Sequence, residues 1–335
     1  MRLINVHTLE LEEFWGRDPP AYGIASHTWG SEEVSFQEWK DRASISHKAG
    51  YHKIVEMAQL AMAFGLNYVW VDTNCIDKTS SAELSEAINS MFNWYAAARQ
   101  CFVYFDDVAS TQREEASDYN SESLQDARWF TRGWTLQELI APGHLVFLSQ
   151  NWQIIGDLSK TDTPNPRSVE SKIAVDISVI TGIDQEVLHV REEYKKRSIA
   201  ARMHWASRRK TTRVEDMAYC LLGLFKINMP LLYGEGKTAF QRLQEEIMKV
   251  SIDQSIFAWS YETVDEDQER ISLMAPWPSA FTNGTIIKTK ASRAPIDSVY
   301  TMTNFGLSVQ FPLLLRLPAR RKFPFHSIGK MRQQP

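Results

Sequence analysis

Residues Arg132 to Leu139 read Arg-Gly-Trp-Thr-Leu-Gln-Glu-Leu. They set an indole at Trp134 four positions before a carboxylate at Glu138. On a helix, residues four apart share a face. A carboxylate held against a large apolar ring loses solvent, which favours its neutral form. That combination suits an acid/base group or a substrate clamp. The same stretch also fits a structural role. Thr135 followed by Glu138 matches a capping box, in which the two side chains satisfy free N–H groups at a helix start. Both roles stay open on the sequence.

The elements around the pair decide where it points. Tyr22 to Ser26 is a short apolar run ending at His27, Trp29 and Gly30. Ile54, Met57, Ala58, Ala61 and Phe64 recur at helical spacing, with Gly65 placed to end the helix. Tyr68-Val69-Trp70-Val71 predicts a buried strand. Ser80 and Glu83 predict a capped start for a helix carrying Leu84, Ile88, Met91, Phe92 and Tyr95 on one face. Cys101 to Phe105 is the next strand, followed by a polar loop from Asp106 to about Asp126. The Glu138 segment comes next, stopped by Pro142 and Gly143, and then a strand over Leu145 to Leu148.

This alternation predicts an α/β fold with a parallel sheet and helices on both faces. Ligands sit beyond the carboxyl ends of such strands. His27, Trp29 and Gly30 fall there, as do Asp72, Asn74, Cys75, Asp77, Asp106 and Asp107. Asp72 is expected to cap the turn that follows it. The boundaries expected are an α/β domain over 1–160 and a mainly helical extension over 161–260. Short strands, loops and a frayed tail are expected over 261–335, where Arg320-Arg321-Lys322 shows no periodicity.

Composition narrows the functional class. The 335 residues carry a formal charge of −4 and the apolar content of a globular protein. That charge predicts no general attraction to nucleic acid or anionic membranes. No apolar stretch is long enough to span a bilayer. No basic start followed by an apolar run marks a secretory leader. Cys75, Cys101 and Cys220 are few and widely spaced, which argues against a disulfide framework and for the cytoplasm. Asn283-Gly284-Thr285 is then a chance glycosylation match. The eleven tryptophans are expected mostly as core anchors.

Other patterns fare less well. Gly234-Glu235-Gly236-Lys237-Thr238 resembles the end of a phosphate-binding loop, but Leu231 stands where the first glycine belongs. A glycine turn opening a helix at Thr238 is the better account. Lys195 to Arg213 holds eight Lys or Arg and no acid. These could grip phosphates, but pairing of Arg197 and Arg213 with flanking acids is favoured. Asp72, Cys75 and Asp77 mix hard and soft ligands, so a turn is favoured over a metal site. His27 has no partner fixed by spacing.

Several stretches together resemble the fungal heterokaryon-incompatibility (HET) domain. They are Ser26-His27-Thr28-Trp29-Gly30, Tyr68 to Lys78, Ser81 to Met91, Arg132 to Leu139, Arg202 to Ala206, Thr212 to Asp216, and Met229 to Gly236. The resemblance runs over roughly residues 1–280. Asn74 departs from it where a second Cys is frequent, and Ala25 where Leu is common. It implies non-self recognition and a programmed cell-death response. The HET fold is similar to Toll/interleukin-1 receptor (TIR) domains, which implies a flavodoxin-like sheet. Some TIR domains hydrolyse NAD with one Glu lying four residues after a Trp, which here matches Glu138 and Trp134. The resemblance therefore implies NAD as a substrate, with no cofactor and no metal. Glu138 would be catalytic, and His27, Trp29, Gly30, Asp72, Arg132 and Trp134 would bind substrate. Self-association and an incompatibility or sensor partner are also implied. The alternative is a non-enzymatic HET signalling module in which Glu138 is structural.

Overall fold

The computed structural model describes residues 1–15, 18–110, 119–163, 171–260, 273–282, 301–303 and 306–308. The chain divides into two compact units, Met1–Ala291 and Ser292–Pro335. Asn283-Gly284-Thr285, Arg320-Arg321-Lys322 and most of 261–335 lie outside the described residues.

The first unit is built on a seven-stranded sheet. Its strands are β1 (Arg2–Asn5), β2 (Leu11–Glu13), β3 (Gly23–His27), β4 (Tyr68–Trp70), β5 (Gln100–Tyr104), β6 (His144–Leu148) and β7 (Ile154–Ser159). Their spatial order is β2-β1-β4-β3-β5-β6-β7. The central strands β4, β3, β5 and β6 run parallel, while β1 and β7 pair antiparallel at the two sides. The expected parallel sheet is thus mixed. The parallel strands are apolar runs with both faces covered: Ile24, Val69, Trp70, Phe102, Val103 and Phe147 are fully buried. The flanking strands read Arg-Leu-Ile-Asn, Leu-Glu-Glu and Ile-Ile-Gly-Asp-Leu-Ser. They are short and partly polar, so they carry no strong periodic signal.

The helices of the α/β region are α1 (Arg42–Ile45), α2 (Ala49–Ala63), α3 (Asp72–Cys75), α4 (Ser81–Ala97), α5 (Ser121–Gln125) and α6 (Thr135–Ile140). The connections β3-α2-β4 and β4-α4-β5 step in opposite directions across the sheet. Right-handed crossovers therefore put α2 and α4 on opposite faces. Gly65 follows α2 with φ +74°, a conformation that costs a residue without Cβ little. The Ser80 hydroxyl accepts the Glu83 N–H at 3.3 Å, as a cap should. The Glu83 carboxylate turns away to accept from the Asp77 N–H and to pair with Arg2, so the capping box is half made.

The chain then turns helical, as expected, through α7 (Lys172–Thr181), α8 (Gln185–His189), α9 (Ile199–His204), α10 (Asp216–Tyr219), α11 (Leu222–Phe225) and α12 (Thr238–Val250). Helix α11 packs on α4 and α6, and α10 on α12. The short helices α10 and α11 follow each other closely, separated by Cys220 and Leu221. In the second unit, β8 (Thr301–Thr303) pairs antiparallel with β9 (Gly306–Ser308). Among the described residues, no helix is long and apolar enough to cross a membrane.

Candidate functional site

The carboxyl ends of β3 and β4 open into a cavity of about 290 Å³. Its floor is apolar, from Ala25 on β3, Ile76, and Leu84, Ile88, Met91 and Tyr95 on α4. Polar groups stand around that floor in three clusters.

The first cluster is Glu138. It sits on α6, which is wholly buried. Ser26 Oγ donates to Glu138 Oε2 at 2.5 Å and accepts from Trp129 Nε1 at 2.8 Å. Burial pushes the Glu138 carboxyl up to about 8; Asp72 adds to this, and Ser26, Arg209 and Arg132 oppose it. Thr135 does not cap the helix. Its hydroxyl donates to the carbonyls of Trp129 and Arg132 and accepts from Arg209 Nη1 at 2.8 Å. The capping box that the Thr135–Glu138 spacing left open is therefore absent. Trp134 stands at the helix start without capping it.

Helix α6 is held at both ends by buried cations. Arg209 Nη1 donates to the Arg132 carbonyl at 2.9 Å as well as to Thr135. At the other end, Lys160 Nζ donates to the carbonyls of Leu139 and Ile140 at 2.9 and 2.6 Å. These are orphan acceptors of the last turn, where a cation is favoured. Burial pushes the Lys160 ammonium down to about 7. Gly133 explains the Arg-Gly-Trp spacing: a Cβ there would lie 2.5 Å from Thr211 Cγ2, and its N–H donates to the Lys210 carbonyl.

The second cluster is His27, Trp29, Asp72 and Lys78. The Trp29 indole donates to Asp72 Oδ2 at 3.0 Å, and Lys78 Nζ lies 3.6 Å from the same oxygen. Lys78 also stands 3.7 Å from the Trp29 ring centroid, a cation–π contact. Burial lowers the Lys78 pKa, against the pull of Asp72. Asp72 makes no capping hydrogen bond to α3, contrary to expectation. Asp77 instead closes the next turn, where its carboxylate accepts from the Thr79 N–H and hydroxyl. His27 Nε2 is buried without a hydrogen-bond partner, 3.8 Å from Glu33 and 3.9 Å from Asp72. Burial works against ionised Glu33, yet His27 and the Lys53 ion pair hold its carboxyl down at about 2.

The third cluster is Arg213, Asp216 and Tyr233. Tyr233 donates to Asp216 Oδ1 at 2.9 Å, and Arg213 lies 4.4 Å from the Tyr233 ring centroid. Burial raises the Asp216 pKa, opposed by hydrogen bonds from Tyr233 and Trp134. The Gly234–Gly236 turn, which resembles a phosphate loop, is already filled. Its Gly234 and Gly236 N–H groups donate to Glu215 Oε1 at 2.8 and 3.0 Å.

Of the residues singled out from the sequence, His27, Trp29, Asp72, Arg132, Trp134 and Glu138 all line this one cavity. Gly30 does not; its N–H donates to Glu33 Oε1 at 2.8 Å. Residues the sequence did not assign to the site are Lys78, Tyr95, Arg213, Asp216 and Tyr233, with Ser26, Arg209 and Lys160 holding Glu138 and its helix. The basic run was expected to pair with acids. Arg197 does so, with Asp184, Glu186 and Glu193. Arg213 does not; it stacks on Tyr233. Arg209 is buried. Only part of the run is therefore open to solvent, which weakens the case for nucleic acid.

Residues 22–123 match the family described as Heterokaryon incompatibility protein (HET). The chain carries a HET domain. Residues 238–334 match a second profile, described as Domain of unknown function (DUF8212). Over 238 residues the chain is 45% identical to Vegetative incompatibility protein HET-E-1 of Podospora anserina. That match takes in 70% of this chain and 16% of the relative, so the chain spans about a sixth of that protein's length. No solved structure matches. The matched HET segment supplies the β3, β4 and α4 walls of the cavity. Glu138, Trp134, Arg132 and the Arg213–Tyr233 cluster lie beyond it.

Proposed function

We propose that this HET domain is the effector part of a heterokaryon incompatibility protein, acting in non-self recognition and programmed cell death by hydrolysing the nicotinamide–ribose bond of NAD. The observation that carries this is Glu138. It is a buried carboxyl, set against an apolar cavity that Trp134 and Arg132 also line. The β4-β3-β5-β6 order of the parallel strands supports a TIR-like, flavodoxin-like reading of the core, since that is the 2-1-3-4 sequence of such sheets.

The chemistry balances as follows. The ribose C1′–nitrogen bond breaks, and its electron pair leaves with nicotinamide, which becomes neutral. The ribose carbon becomes oxocarbenium-like, and the Glu138 carboxylate stabilises it. Water then adds to C1′, and Glu138 takes its proton. The products are nicotinamide and ADP-ribose. Arg132 can hold a phosphate through paired N–H groups. The apolar floor from α4 excludes water from the departing ring. We place this reaction in the cytoplasm of self-associated protein.

A second function is favoured by one observation. Glu138 sits in a buried network with Ser26 and Trp129, as a purely structural residue would. HET signalling would then run by self-association alone. Incubating purified protein with NAD at low and high protein concentration separates the two. Nicotinamide release that rises more than proportionally with concentration supports the enzyme. No release at any concentration leaves the non-enzymatic module.

A further inference from the structure

Beside the cavity lies a second depression of about 280 Å³, and Trp29, Arg132 and Thr212 line both. Three cations line this groove, Arg128, Arg132 and Lys210, and no carboxylate does. That is a local excess in a chain with a formal charge of −4. Arg128 is neutralised by Asp106 and Asp107. The side chains of Arg132 and Lys210 make no ion pair or hydrogen bond among the described residues. Their backbones are joined by a parallel bridge, with the Lys210 N–H donating to the Thr131 carbonyl at 2.7 Å. Arg132 thus lies where the two depressions meet, and Lys210, its partner in the backbone bridge, lines the second.

We propose that the groove binds the second nucleotide half of a dinucleotide, with the diphosphate held by Arg132 and Lys210 at the junction. This rests on the cavity being the nicotinamide site. The hydroxyl protons of Thr131 and Thr211 go to the carbonyls of Arg128 and Arg213. Their oxygens remain as acceptors for ribose hydroxyls. The half-exposed Trp29 ring offers a stacking surface for a base. Either depression alone is small for a ligand site, usually about 300–1,000 Å³, whereas both together fall within that range.

Adenosine diphosphate is the probe, because it contains the groove-binding half and cannot be cleaved as NAD is. Calorimetry should show it binding to the wild-type protein and binding more weakly as salt rises. Lys210→Glu should weaken that binding about tenfold or more, the loss of at least one charge-assisted hydrogen bond. The Lys210 side chain is exposed and its bridge uses only backbone atoms, so the melting temperature should hold. The ratio of kcat/KM for NAD to that for nicotinamide mononucleotide should fall by about the same factor. Equal adenosine diphosphate affinity in wild type and variant, or none in wild type, overturns the groove. Lys210-dependent binding without cleavage of either substrate keeps the groove and removes the hydrolase. Cleavage of NAD with an unmoved ratio does the reverse.

Discussion

On the wall contributed by residues 25–95, charges are matched. Asp72 has Lys78 and the Trp29 indole, and Glu33 has Lys53. On the wall contributed by residues 132–233 they are not. Glu138 is buried and accepts from the Ser26 hydroxyl, with Arg132 and Arg209 acting on it only at longer range, and neither Arg132 nor Arg213 closes an ion pair with a carboxylate among the described residues. Matched charges fix geometry and resist titration. Unmatched ones keep a carboxyl near neutrality and leave cations free for a ligand. The first wall shapes the cavity, and the second carries its reactivity. The matched HET segment, 22–123, covers the first wall alone.

The contrast is broken most severely at the clamp on α6. Arg209→Ala should cost about 3 kcal/mol in urea unfolding, since it takes a charged donor from the Thr135 oxygen and leaves the Arg132 carbonyl with the Thr135 hydroxyl alone. A loss below about 1 kcal/mol would mean that α6 holds itself.

A pH series sharpens the contrast next. The folded Glu138 carboxyl titrates at about 8, against 4.5 for an ordinary glutamate. Between those values the unfolded chain binds fewer protons than the folded one. This group's contribution to stability therefore falls as pH rises from about 4.5 to 8. Glu138→Gln removes that slope. The melting temperature of the wild type should drop relative to the variant, by a few degrees, between pH 5 and pH 8. Parallel curves would show that Glu138 is not held neutral. The matched wall should respond least. Asp72→Asn weakens only a partly exposed pair, so the change should stay under about 1 kcal/mol. A larger loss would give Asp72 the structural role that its missing cap denies.

Much of this was legible in the sequence where the signal is local. The four parallel strands stand out as apolar runs, and Gly65 and Ser80 mark helix ends where the structure has them. The Trp134–Glu138 spacing and the strand-end residues His27, Trp29 and Asp72 led to one cavity. What stayed hidden depends on distant contacts. Arg209 meets Thr135 across 74 positions, and no periodicity reports that. The strands β1, β2 and β7 are short and partly polar. The expected Asp72 cap failed because an aspartate before a turn has two options. Here the nearby indole of Trp29 and the ammonium of Lys78 hold its Oδ2.

The central claim is that Glu138 is the reacting carboxylate of an NAD-cleaving site. The most direct measurement is the pH dependence of kcat/KM for NAD in wild type and Glu138→Gln, with melting curves alongside. The wild type should gain about tenfold per pH unit below its midpoint near 8 and then level off. The variant should be slower by at least about a hundredfold, flat with pH and folded. A folded Glu138→Gln that cleaves NAD at the wild-type rate would contradict the account.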